Sequence, residues 1–274
     1  MSINIILFSA TGNTFYLFDA RKTSAKFNLA NLAKYSCSSN KDFRIDGLLI
    51  LENSKKADVK LRIFNSDGSE VQMCGNGARV TAYYAGSESK KKNLRIETLA
   101  GIIEAKVLDS DVKIKLTDPT DIHLNIPIEV NERKIRVSFI NTGVPHVVVF
   151  VNSLSRIDVH YIGQLLRSHE RFAPEGTNVD FVEIIGPDIL KLRTFERGVE
   201  RETLACGTGA VASALVSFKL SFIRATKIKV RPTSGEVLTV EFEYEGDKFE
   251  DVWLEGQVKK ISEKEINIPG EILT

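Results

Sequence analysis

The sequence predicts an α+β fold of two pseudo-symmetric, β-rich domains, each wrapped around a central buried helix and produced by internal duplication. Three observations carry that prediction. First, the chain repeats itself at long range: Lys60-Leu61-Arg62-Ile63-Phe64-Asn65 leads to Met73-Cys74-Gly75-Asn76-Gly77-Ala78, and Lys191-Leu192-Arg193-Thr194-Phe195-Glu196 leads to Ala205-Cys206-Gly207-Thr208-Gly209-Ala210. Upstream, Phe8-Ser9-Ala10-Thr11-Gly12 is echoed by Phe139-Ile140-Asn141-Thr142-Gly143 at an offset of 131, and downstream Thr98-Leu99-Ala100-Gly101 and Thr233-Ser234-Gly235 each interrupt a pair of alternating strands. One near-constant offset across separated landmarks is the mark of a duplication, with one cysteine in each copy. Second, most segments alternate apolar and polar residues with the period of half-exposed strands. Third, the stretch after Cys206 (Ala210, Val211, Ala212, Ala214, Leu215, Val216, Phe218, Leu220) has no polar face, which predicts a buried helix.

Taken in order, residues 3–8 and 15–18 read as strands around the turn Thr11-Gly12-Asn13, and residues 28–35 as a helix with Leu29, Leu32 and Ala33 at helical spacing. Cys37 follows with neither a glycine pair nor an apolar helix after it, so it reads as structural. Strands are expected at 48–51 and 61–64, then a helix after Cys74, then strands at 94–97, 102–107 and 112–116. The second copy begins near Asp121, with strands at 137–140, 146–151, 179–184 and 190–195 and helices at 161–169 and 209–220. The expected domains are residues 1–120, with the tail 263–274 as a possible completion, and residues 121–262.

The composition narrows the function. A chain of 274 residues accommodates two modest cores, and 43% hydrophobic with 27% charged residues is ordinary for a globular protein. The formal charge of +1, from 37 basic and 36 acidic residues, gives no electrostatic footprint for nucleic acid or an anionic membrane, and Lys90-Lys91-Lys92 reads as a solvated loop. Three widely spaced cysteines form neither a disulfide framework nor a zinc motif. Residues 1–10 lack a basic leader and no apolar run reaches about 18 residues, so a cytoplasmic location with free thiols is expected.

The chemistry centres on the two cysteines. Each stands between a polar turn-forming run and a glycine-containing helix start, where the positive end of the helix dipole is expected to lower a thiol pKa and the free N–H groups can seat a carboxylate. Inverting a stereocentre α to a carboxylate needs a base on one face and an acid on the other, and two cysteines in equivalent copies supply one thiolate and one thiol. Gly75, Asn76, Gly207 and Thr208 are the expected carboxylate-binding positions. Competing readings are weaker. A lone Cys-Gly is often only a small buried hydrophobe. Gly207-Thr208-Gly209 lacks the acidic residue and strand–helix–strand unit of a dinucleotide site, no Gly-Lys-Ser/Thr marks a phosphate loop, and redox pairs sit close in sequence.

Asn65-x-Asp67-Gly68-Ser69, then Cys74-Gly75-Asn76-Gly77-x-Arg79, resembles the signature of the diaminopimelate epimerase family. Glu196-Arg197-Gly198 followed by Glu202-Thr203-x-Ala205-Cys206-Gly207-Thr208-Gly209 is similar to its second motif, and Gly12-Asn13-Thr14-Phe15, Thr142-Gly143-Val144-Pro145-His146 and Thr177-Asn178 fall in order. The resemblance spans essentially the whole chain. It implies an epimerase that uses neither pyridoxal phosphate nor metal, interconverts LL- and meso-diaminopimelate for lysine and peptidoglycan synthesis, and forms a homodimer. It implies Cys74 and Cys206 as acid and base, with His146 and Glu196 assisting proton movement and Asn13 holding the reacting end. Asn65, Asn178 and Arg197 would bind the far carboxylate, with Glu196 also near the far ammonium. The chain departs from the family pattern at Val144, where many members carry asparagine, at Gly47, where some carry glutamine, and in the loop Val199-Glu200-Arg201, which is one residue longer. Rival functions are a related cofactor-independent racemase of another amino acid, for which an Arg197 clamp has no use, and a non-catalytic amino-acid-binding protein with inert thiols. Two thiols facing one carbon are also expected to form a disulfide on mild oxidation when the site is empty.

Overall fold

The computed structural model describes residues 1–39 and 44–274. The chain divides into two compact units: Met1–Ile114 with Gly256–Thr274, and Lys115–Glu255.

The first unit holds β1 (Ser2–Ala10), β2 (Asn13–Asp19), α1 (Leu29–Ser38), β3 (Gly47–Glu52), β4 (Val59–Asn65), β5 (Glu70–Val71), α2 (Gly75–Ser89), β6 (Asn93–Thr98), β7 (Gly101–Leu108) and β8 (Asp111–Lys115). The second holds β9 (Thr120–Val130), β10 (Arg133–Asn141), β11 (Pro145–Phe150), α3 (Val159–Arg167), β12 (Asn178–Ile184), β13 (Ile189–Glu196), β14 (Arg201–Thr203), α4 (Gly207–Lys219), β15 (Lys227–Arg231) and β16 (Leu238–Glu245). The long strand β17 (Lys248–Asn267) gives residues 248–255 to the second unit and 256–267 to the first.

The two units have the same strand topology. In the first, β1 pairs antiparallel with β2, β2 parallel with β3, and β3 antiparallel with β4; β4 runs parallel to β6, and β6, β7 and β8 follow as an antiparallel meander. In the second, β10, β11, β12, β13, β15 and β16 repeat those relations, ending on the first part of β17. The pairing β9–β10 in the second unit is matched by β17–β1 in the first, where Ser2 faces Asn267 and Ala10 faces Val258. The first unit also closes on itself, since Val258 N donates to Ser110 O (2.9 Å) at the head of β8.

The registers state the duplication more strictly than the sequence does. Phe15 faces Gly47 as His146 faces Asn178, and Lys60 faces Glu97 as Lys191 faces Arg231. The offset is therefore 131 up to β13, and the extra residue before Cys206 lies between Glu196 and Glu202, in the loop that carries Gly198 and Glu200 in the left-handed region.

Each inner helix is buried almost all round: Asn76 to Ala82 of α2 and Gly209 to Ser217 of α4 have almost no exposure. A second helix covers the other face of the strands. Leu32, Ala33 and Cys37 of α1 pack on Ile3, Ile5, Tyr16, Leu48 and Ile50, and Val159 and Leu166 of α3 pack on Val147, Val179, Phe181 and Phe195. Strands covered on both faces need apolar residues at consecutive positions, which is why Leu48-Leu49-Ile50-Leu51 does not alternate. Burying each such side chain contributes roughly 1.5–3 kcal/mol.

Several boundaries differ from those read in the sequence. Helix α1 runs on to Ser38, so Cys37 lies inside it, and α4 starts at Gly207, which makes Cys206 its N-cap. Strand β9 and most of β17 have no counterpart in the sequence reading. The outer part of β17, with Lys259, Lys260, Glu263 and Lys264, is charged and largely exposed and so offers no apolar period.

Candidate active site

Both cysteines are N-caps. Cys74 (φ −144°, ψ 119°) and Cys206 (φ −124°, ψ 113°) have extended backbones, and their carbonyls accept from Ala78 N (2.8 Å) and Ala210 N (2.9 Å), the first bonds of α2 and α4. The thiols therefore stand at the helix mouths, where the first N–H groups of an α-helix have no intrahelical partner.

In the first unit the mouth of α2 is built from polar side chains. Asn76 Nδ2 donates to Asn13 Oδ1 (2.6 Å), and Arg79 Nη2 donates to Asn76 Oδ1 (2.6 Å) and Thr11 Oγ1 (2.8 Å). Arg79 is fully buried. Asn13 Nδ2 and Thr14 N both donate to Asp46 Oδ2 (3.2 and 2.9 Å), which fixes the β1–β2 turn. Cys74, Gly75, Asn76 and Asn13 thus cluster at one helix end. Asn65 stands apart at the exposed end of β4, facing Gly47 in register and donating to Ser69 Oγ (2.9 Å).

In the second unit the corresponding mouth has a different network. His146 is wholly buried, with Nδ1 2.7 Å from Asp180 Oδ2 and Nε2 3.0 Å from Thr208 Oγ1; Thr208 Oγ1 is in turn 3.4 Å from Cys206 Sγ. Thr194 Oγ1 donates to Asp180 Oδ1 (2.6 Å). Asn178 lies opposite His146, donates to Pro145 O (3.1 Å) and accepts from Arg197 N (2.9 Å), while Arg197 Nη1 donates to Glu175 O (3.1 Å). Thr208 therefore links Cys206 to His146, and Asn178 on β12, Glu196 at the end of β13 and Arg197 just after it adjoin them.

The electrostatics reverse one expectation. The helix N-terminus was expected to lower both thiol pKa values, but at Cys206 burial dominates and pushes the thiol up; Glu196 and Asp180 add to the rise, and the Thr208 hydroxyl and Gly209 N–H oppose it. Burial likewise raises Glu196, with Thr203 and His146 pulling the other way and Asp180 adding to the rise. Cys37, inside α1, is pushed up to about 12 by burial and by Asp46, as befits a structural thiol.

Sequence reasoning assigned no role to Asp180, Thr194, Asp46 or Arg79. Asp180 and Arg79 left a signal: each is a charged residue inside an apolar run, in Val179-Asp180-Phe181-Val182 and Ala78-Arg79-Val80. A charge at such a position is buried with a partner, and buried paired charges gather at sites.

The chain is similar to known proteins over most of its length. The family model described as diaminopimelate epimerase matches residues 6–121 and 138–261. The diaminopimelate epimerase of Aquifex aeolicus is 39% identical over 265 residues, covering 92% of this chain and 94% of that protein; that of Chlorobaculum tepidum is 36% identical over 258 residues, covering 92% and 97%. The Archaeoglobus fulgidus protein is 43% identical over 218 residues, covering 75% and 76%. Among solved structures, a Bacillus anthracis phenazine biosynthesis protein of the PhzF family aligns with a TM-score of 0.71 at 19% identity, covering 98% of this chain and 100% of that one. A probable proline racemase from Agrobacterium radiobacter K84 aligns at 0.67 and 15% identity, covering 97% and 93%. These two share the fold. With the family model matched in both halves and relatives of this identity aligned over most of their length, the chain belongs to the diaminopimelate epimerase family.

Proposed function

We propose that the protein interconverts LL-2,6-diaminopimelate and meso-diaminopimelate by proton transfer between two cysteines, a step in lysine and peptidoglycan precursor synthesis. The observation that carries this reading is the pair of cysteines at equivalent N-caps of the two buried helices, in a chain of this family. One thiolate takes the α-proton and the other thiol returns a proton to the opposite face, with the roles exchanged in the reverse direction. Cys206, held protonated by its surroundings, is the acid in the resting protein, and Cys74 supplies the base. The negative charge that develops on the substrate carboxylate is met by the N–H groups at Gly75, Asn76, Gly207 and Thr208, which are oriented before the reaction and need no reorganisation during it.

The remaining assignments belong to the same reading. Asn13 holds the reacting end through its contact with Asn76, and His146 and Glu196 tune proton transfer at Cys206. Asn65, Asn178 and Arg197 bind the far carboxylate, with Glu196 near the far ammonium. The reaction needs neither pyridoxal phosphate nor metal, and the protein acts as a cytoplasmic homodimer without nucleic-acid or membrane partners.

The test is solvent exchange. LL-diaminopimelate is incubated in deuterated water with a reductant and no added cofactor. Deuterium at one α-carbon together with the meso form is the expected result, abolished by Cys74→Ala or Cys206→Ala. An inert diaminopimelate alongside exchange into another amino acid overturns the substrate assignment; no exchange with any amino acid overturns the reaction.

A further inference from the structure

Behind Cys206 lies a buried polar group that the first unit lacks. At the offset of 131, His146, Asp180 and Thr194 are matched by Phe15, Leu49 and Ile63. His146, Asp180 and Thr194 are each at most 2% exposed. Asp180 is also packed against α4: a Cβ on Gly209 would lie 2.5 Å from Asp180 Oδ1. We infer that Asp180 is a positioning residue that fixes the tautomer of His146 and thereby directs the hydrogen-bond chain so that Cys206 rests as the thiol. This rests on the proposed reading of Cys206 as one of the two proton carriers.

Lone pairs set the direction of the chain. An ionised carboxylate only accepts, so His146 Nδ1 carries the hydrogen that Asp180 Oδ2 receives. In a neutral imidazole Nε2 is then an acceptor, and which ring nitrogen holds the proton is set by the bond the other makes. That buried lone pair needs a donor, and the group 3.0 Å away is the Thr208 hydroxyl. A hydroxyl has one hydrogen, so with it committed to His146, Thr208 Oγ1 offers Cys206 only lone pairs, and across 3.4 Å it receives the S–H. The chain then reads Cys206 S–H to Thr208 O–H to His146 Nε2, with His146 Nδ1–H to Asp180. Thr194, donating to Oδ1, keeps the carboxylate's other oxygen turned away from His146. The titratable groups facing His146 among the described residues are Asp180 on β12, Glu196 on β13 and Cys206 at the head of α4.

The substitution Asp180→Asn reverses the chain. Thr194 continues to donate to the amide oxygen, so the amide N–H₂ faces Nδ1 and the hydrogen moves to Nε2. Nε2–H then donates to Thr208, whose hydroxyl turns to Cys206 Sγ and favours the thiolate. Nitrogen NMR of His146 is expected to show Nδ1–H in the unsubstituted protein and Nε2–H in Asp180→Asn. Iodoacetamide alkylation of Cys206 at neutral pH, followed on its peptide by mass spectrometry, is expected to speed up about tenfold, the effect of one pKa unit. This gain persists in Asp180→Asn/Thr208→Ser and is lost in Asp180→Asn/Thr208→Val. Removing a bare negative charge would instead speed alkylation equally with or without the Thr208 hydroxyl, and that result overturns the inference. So does an imidazolium or an Nε2–H tautomer in the unsubstituted protein, a measurement that decides alone if Asp180→Asn does not fold. None of these readouts uses diaminopimelate, so a protein inert toward that substrate refutes the functional reading and leaves this one to stand or fall separately.

Discussion

Gly209→Ala and Gly77→Ala are the same change at equivalent places in the two halves, and the structure gives them different costs. Both glycines lie in the first turn of a buried helix, where alanine improves helix propensity by up to about 1 kcal/mol. At Gly209 the new Cβ would lie 2.5 Å from Asp180 Oδ1, 3.1 Å from Asp180 Cγ and 3.2 Å from Thr194 Oγ1. That carboxylate cannot step aside freely, because His146 and Thr194 hold its two oxygens at 2.7 and 2.6 Å. Forcing it away costs about 1–3 kcal/mol of overpacking strain. It also breaks at least one hydrogen bond to a charged group, about 1.5–3 kcal/mol. Set against the propensity gain, the net loss is about 1.5–5 kcal/mol. At Gly77 the nearest atom is Leu49 Cδ2 at 2.9 Å, the end of a side chain that can rotate, so the net change stays within about 1 kcal/mol. Equilibrium urea unfolding of both variants beside the unsubstituted protein measures the difference. Equal stabilities, or a larger loss at Gly77, would refute the claim that Asp180 is pinned.

Three further outcomes follow from the site. Arg79→Met removes the donors to Asn76 and Thr11, bonds worth about 1.5–3 kcal/mol each to a charged group, so KM for diaminopimelate should rise about tenfold as Asn76 loses its orientation; an unchanged KM would separate Arg79 from substrate binding. Glu196→Gln should lower kcat while raising thermal stability at neutral pH. Unfolded Glu196 ionises near the ordinary glutamate value of about 4.5, and burial raises the folded value. Between the two, the folded chain holds a proton that the unfolded chain has released, so stability falls as pH rises through that window and the deficit persists above it. Glutamine removes the deficit, and its advantage should vanish below about pH 4.5; an advantage that survives there is not electrostatic. In the unsubstituted protein, iodoacetamide should label Cys74 before Cys206 or Cys37, because Cys74 alone is partly exposed; peptide mass spectrometry gives the order.

The duplication and the two helix mouths were legible in the sequence because they depend on local spacing. An offset of 131 between Phe8 and Phe139 survives folding as the register that pairs Phe15 with Gly47 and His146 with Asn178. The outer half of β17 was not legible, since its pairing with β1 joins residues 248 to 265 positions apart and its exposed charges follow no apolar period. Asp180 was hidden for a related reason. Its partner is 34 residues away and reaches it only through the parallel pairing of β11 with β12. The sign at Cys206 was misread because helix polarity can be seen in a sequence, whereas desolvation by the surrounding strands cannot.

The comparison of the two halves gives the duplication a chemical sense. Both copies keep the backbone that places a cysteine at the head of a buried helix, and they differ in what stands behind it. In the first, Asn13 and Arg79 are polar where the second has Val144 and Val211. In the second, His146, Asp180 and Thr194 are polar where the first has Phe15, Leu49 and Ile63. One copy places a cationic guanidinium behind Asn76, the other a carboxylate behind the histidine. Divergence behind the cysteines, with the backbone held constant, gives the two thiols different electrostatic surroundings.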